Sequence, residues 1–129
     1  RSTLSSSSAA ADVYKRQSRD GKMMLLGTGQ GIIYNLDAFT GALLQQYTGH
    51  ANTRGIMLEA CFSADGLQVL CGSEDGTVWR WRTNDGQPVS APLTGHLGPV
   101  TAMRCNPTRQ LIASACSHVC LWLPVRRSG

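Results

Sequence analysis

Three histidines, five cysteines and eight carboxylates are the side chains of this 129-residue sequence with the widest chemical range. The run Cys116-Ser117-His118-Val119-Cys120 sets two thiols and an imidazole within five positions, and both groups are zinc ligands. The spacing is not a paired Cys-x-x-Cys, no second ligand pair is evident, and Cys120 falls in an apolar strand pattern. The sequence therefore predicts no metal and no cofactor. His50 and Asp75 supply two polar members of a catalytic set, which would also need a nucleophile and an orienting group in one pocket. Arg54 carries a guanidinium fork suited to a phosphorylated or acidic partner.

The elements that must position these residues repeat along the chain. Ser18-Arg19-Asp20-Gly21 returns forty-five positions later as Ser63-Ala64-Asp65-Gly66, and Thr48-Gly49-His50 returns forty-six later as Thr94-Gly95-His96. Leu36-Asp37 corresponds to Trp81-Arg82, and the tryptophan recurs at Trp122. Three kinds of landmark thus share nearly one period, the signature of a repeat architecture. Between them lie short β-branched and aromatic runs separated by Asp-Gly breaks, with no helical signal.

In the best-preserved unit we read four strands, at 58–62, 67–72, 77–82 and 89–93. Gly66, Gly76 and Gly86 each follow an aspartate, where a hairpin needs positive φ. A four-stranded antiparallel sheet this short cannot bury both faces alone, so it must stack on neighbours. The expected fold is all-β: about two and a half four-stranded blades of a propeller, a fragment of a larger ring.

The expected divisions are a leader at 1–17, a partial blade at 18–48, a complete blade at 49–94, a final blade lacking its outer strand at 95–125, and a tail at 126–129. The leader has a Ser/Ala run without strand or helix periodicity and looks like translated cloning or adapter sequence, so no structure or function is expected of it. Without it nine basic and seven acidic side chains remain, too even a balance for a nucleic-acid footprint. No stretch approaches the roughly 18 apolar residues of a membrane span. Cys61, Cys71, Cys105, Cys116 and Cys120 form an odd set with no signal peptide, which points to a reducing compartment.

Gly49-His50 followed by Trp81-Arg82, and Gly95-His96 followed by Trp122-Leu123, resemble the Gly-His to Trp-Asp frame of WD repeats. The resemblance implies a structural hydrogen-bonded tetrad of His50, Ser73 (or the position of Cys71), Asp75 and Trp81, with only His96, Ser114 and Trp122 available in the last unit. That frame accounts for His50 and Asp75, so we expect no catalysis. Departures are Arg82 and Leu123 where the frame has Asp, and Leu36 where it has Trp.

The ending Ala113-Ser114-Ala115-Cys116-Ser117, with Trp122-Leu123-Pro124, is similar to that of the WD-repeat subunits of COMPASS-type histone methyltransferase complexes. This implies a nuclear, non-catalytic scaffold, partnered by methyltransferase-complex subunits and by the phosphorylated tail of RNA polymerase II; the alternative is a general WD-repeat interaction scaffold in signalling, ubiquitin ligation or trafficking. Neither direct nucleic-acid binding nor membrane association is expected. Recognition would fall to loops at one mouth of the ring: residues 49–55 and 95–99, Glu74-Asp75-Gly76 and Ser117-His118, with Arg54, Glu74 and His118 as candidate contacts.

Overall fold

The turn that opens each of the first two repeats is built from the same atoms. Ser18 Oγ donates to Asp20 Oδ1 and accepts the Met23 amide; Ser63 Oγ does the same with Asp65 and the Gln68 amide, at the same 2.7 and 3.0 Å. Gly21 and Gly66 take φ of 76° and 74° there. A third copy uses Asn106, whose amide donates to Leu111 O. These turns start the second strand of three antiparallel sheets in a computed structural model that describes residues 14–109, 111–116 and 118–123, with side chains from residue 16 onward.

The first sheet runs β1 (Tyr14–Gln17), β2 (Met23–Gly27), β3 (Ile33–Asp37) and β4 (Leu43–Tyr47). The second is β5 (Ala60–Phe62), β6 (Gln68–Gly72), β7 (Thr77–Arg82) and β8 (Leu93–Thr94). The third contains β9 (Ala102–Cys105), β10 (Ile112–Ala115) and β11 (Val119–Trp122). Each sheet is a meander of neighbouring strands, the architecture of a partial β-propeller. Among the described residues no helix is long and apolar enough to cross a membrane.

Two expectations need correction. The leader expected at 1–17 ends inside the fold, for its last four residues form β1 and pair with β2 from Tyr14↔Gly27 to Gln17↔Met24. The first sheet therefore has four strands and is not a partial blade. Side-chain periodicity misses β1 because its place is fixed by backbone pairing along β2, with Arg16 adding an ion pair to Glu59 at 3.9 Å. The fourth strand of the second sheet, expected over 89–93, is reduced to Leu93–Thr94 plus a bridge between Trp81 and Pro88. Pro88 cannot donate to a ladder, and Ser90 turns the chain with a φ of 55°. Residues 1–13, Ser117, Pro124 and the tail at 126–129 lie outside the described residues.

The second sheet is apolar on both faces, and period-2 alternation divides its side chains between two cores. Ala60, Phe62, Val69, Cys71 and Trp81 pack with Leu25, Ile33 and Tyr47 of the first sheet. Cys61, Leu70 and Val78 pack with Val100 and Met103 towards the third. Gly72 sits where this second packing is closest: a Cβ there would come within 2.0 Å of Val100 O.

Polar ties cross the same seams. Tyr47 Oη donates to Thr83 O at 2.8 Å, and Arg104 pairs with Glu59 at 2.7 Å. Glu59 thus touches cations from the first strands of both neighbouring sheets, Arg16 on one side and Arg104 on the other.

Leu70 is fully buried between sheets whereas Leu67, three residues away, is mostly exposed. We expect Leu70→Ala to cost about 2–5 kcal/mol and Leu67→Ala less than about 0.5 kcal/mol, compared by urea-denaturation midpoints.

Candidate functional site

The loops between sheets and the turns between second and third strands gather at one end of the sheets. A Cβ on Gly29 would stand 3.4 Å from Gly55 O, and one on Gly76 only 2.4 Å from His96 O. Gly76 also needs its φ of 89°, so both demands select glycine. Glu74 N donates to Ala51 O, and His118 Nε2 lies 3.5 Å from Gly95 O. Residues 49–55 and 95–99 are therefore wedged between turns of successive sheets.

Glu74 organises the first of these loops. Its Oε1 accepts the amides of Thr53 and Arg54 at 2.7 and 3.2 Å, and its Oε2 accepts the Thr53 hydroxyl at 2.7 Å. These bonds, led by the Thr53 hydroxyl, hold its carboxyl below the usual range. Asn52 closes the other side through paired bonds with the Ile56 amide and carbonyl. Arg54 is thus exposed at the tip of a loop whose backbone is clamped from both sides. Of the three proposed contact residues, Glu74 and Arg54 are brought together, while His118 stands apart in the turn of the third sheet.

The middle sheet brings the expected tetrad residues close without joining them in one relay. The His50 ring meets Trp81 edge to face at 5.4 Å. Trp81 Nε1 donates to Thr48 O at 2.9 Å, not to a serine. Ser73 Oγ accepts the Ala51 amide at 2.8 Å and donates back to Ala51 O at 3.2 Å. Asp75 Oδ1 accepts the Thr77 hydroxyl and amide, and the hydroxyl bond leads in lowering its pKa. Trp81 and Ser73 therefore tie loop backbone to the sheet, Asp75 braces its own turn, and His50 Nδ1 has no hydrogen-bond partner among the described residues.

The third sheet does contain a relay. His96 Nε2 lies 2.7 Å from Ser114 Oγ, which also accepts the Trp122 indole N–H at 2.8 Å. His96 Nδ1 is 3.1 Å from Cys116 Sγ, so a thiol occupies the side where the family frame has an aspartate.

The sequence reading missed the pairs between inner strands. Glu59 and Arg104 are 45 positions apart, and the Cys61 and Cys105 thiols, 3.1 Å apart in space, are separated by 44. The signal was present in the period itself, because residues about one repeat apart face each other across adjoining blades. The arginines also sort clearly: Arg82 pairs with Asp85 at 2.6 Å and Arg80 donates to Ser90 Oγ.

Burial pushes the His50 pKa down to about 4, with the Asp75 charge offsetting part of that drop. Unfolded, the group titrates near ~6.5, so between these values the unfolded chain binds the extra proton and stability falls as pH falls. We expect a loss of about 2 kcal/mol from this residue between pH 7 and 5. Urea titrations of wild type and His50→Gln at both pH values measure it as a smaller pH dependence in the variant. Ser114→Ala strips partners from both His96 and Trp122 and should cost roughly 2 kcal/mol in the same assay.

Comparison with known proteins agrees with this architecture. The family described as "WD40: WD domain, G-beta repeat" matches residues 41–82 and 86–122. The chain is 42% identical over 112 residues to WD repeat-containing protein 82 of Drosophila melanogaster, covering 87% of this chain and 35% of that protein. It is 34% identical over 98 residues to WD repeat domain-containing protein 83 of Homo sapiens, covering 76% of this chain and 30% of that protein. The chain thus spans about a third of the length of these relatives. Among solved structures, the computationally designed Ika4 protein superposes with a TM-score of 0.69 at 23% identity, covering 86% of this chain and 65% of that one, a likeness of fold. With three meandering sheets, turns rebuilt from the same atoms and family matches across both later repeats, the chain belongs to the WD40 family of WD-domain, G-beta repeat proteins.

Proposed function

We propose that this chain is part of a non-catalytic WD-repeat adaptor in a nuclear histone methyltransferase complex of the COMPASS type, which it links to transcribing RNA polymerase II. The observation that carries the reading is the 42% identity with WD repeat-containing protein 82 across 87% of the chain. It agrees with the resemblance of the Ala113-to-Cys116 and Trp122-Leu123 ending to the WD-repeat subunits of those complexes.

The geometry offers a way to bind. A guanidinium at the tip of a clamped loop loses little backbone entropy when a phosphate arrives, and the pairing is charge-assisted. Arg54 meets that description, with Glu74 and Asn52 holding the loop. Methyl transfer would belong to another subunit, and this chain would supply a rigid surface.

Pull-down from nuclear extract tests the reading. We expect recovery of methyltransferase-complex subunits and phosphorylated polymerase, with polymerase recovery reduced roughly tenfold by Arg54→Glu. Recovery of cullin or coat proteins in their place would assign the chain to ubiquitin ligation or trafficking and overturn the proposal. Equal polymerase recovery by Arg54→Glu would remove Arg54 from the contact.

A further inference from the structure

We infer that His96, His118 and Cys120, with Cys116 beside them, form a binding site for a divalent metal ion of the zinc class. One ligand atom from each of His96, His118 and Cys120 lies within 4.8 Å of the others. Cys116 Sγ is 3.1 Å from His96 Nδ1 and 3.4 Å from His118 Nδ1. Tetrahedral zinc, with bonds of about 2.0 Å to nitrogen and 2.3 Å to sulfur, sets neighbouring ligand atoms roughly 3.3–3.8 Å apart. The ligand atoms of His96, His118 and Cys120, within 4.8 Å of one another, stand close to that spacing.

The surroundings favour ligation over a chance meeting of side chains. His96 is buried and its Nε2 is fixed against Ser114 Oγ, so its Nδ1 is turned to the thiol side. A ligating histidine characteristically has its other nitrogen engaged in this way, which sets ring orientation and tautomer. The two imidazoles lie with centroids 5.0 Å apart and planes tilted by 31°. The run Cys116 to Cys120 carries no second ligand pair of its own. His96, from the loop between sheets, supplies the missing donor.

Thiolate and imidazole together select zinc-class ions over magnesium or calcium. On binding, the Cys120 sulfur–hydrogen bond breaks, its proton passes to solvent and the thiolate bonds to the metal, with no change in oxidation state. Three protein ligands leave a fourth position, for Cys116 or water. The ion would pin the loop at 95–99 to the outer part of the third sheet. This inference does not depend on the adaptor reading.

Cobalt(II) is the probe. Titrated into reduced, chelator-stripped protein, it should bind one to one and develop the visible bands of tetrahedral cobalt with a near-ultraviolet thiolate charge-transfer band, both bleached by zinc. Cys120→Ser and His118→Ala, at the outer strand and its turn, should each weaken binding at least tenfold while far-ultraviolet circular dichroism stays unchanged. Cys105→Ser, at the separate thiol pair with Cys61, should leave the bands intact. Absence of the bands at stoichiometric cobalt, their full retention in both ligand variants, or their loss in Cys105→Ser would overturn the site.

Discussion

The structure depends on one constraint: a sheet with two apolar faces must be covered twice. In the middle sheet, alternate residues along β6 and β7 belong to different cores, Val69, Cys71 and Trp81 to one and Leu70 and Val78 to the other. Neither core can form within a single blade, since successive side chains of a strand point to opposite faces. Stability therefore lies between repeats, as in repeat architectures generally. The close backbone approach at Gly72 and the inter-sheet ties of Tyr47 and Glu59 follow from that packing.

The loops at one end answer a second requirement, that backbone leaving one blade for the next must not be left unpaired. The two seams meet it differently. In the first, Ser73 is committed to the Ala51 backbone and Trp81 to Thr48 O, leaving His50 neutral and packed against an indole. In the second, Ser114 accepts from Trp122 and joins His96, so the imidazole keeps one nitrogen towards the thiols. The same residue types thus give a hydrophobic lock in one seam and a polar cluster in the other.

Much of this was legible in the sequence, because turn chemistry is local. The Ser-x-Asp-Gly turns and the Asp-Gly hairpins need only residues a few positions apart, and they recur with the same hydrogen bonds. What escaped depends on relations that local pattern does not carry. Strand β1 is placed by pairing with β2, so the Ser/Ala run before it gave no warning. The shortened fourth strand of the middle sheet is the exception, since Pro88 and Pro92 flank the turn at Ser90 and are a local signal against a continuous strand. The diversion of Ser73 to a loop amide, and the arrival of His96 beside Cys116 from 20 residues away, depend on how the loops seat between sheets.

The central claim is that neighbours hold the middle sheet from both sides, and amide hydrogen exchange resolved by residue measures it most directly. Amides of Val69, Leu70 and Cys71 in β6 should be the slowest in the chain. Those of β11, where Val119 and Leu121 are 67% and 65% exposed, should exchange orders of magnitude faster. Equal protection of β6 and β11, or a β6 that exchanges as fast as the loops, would contradict the account.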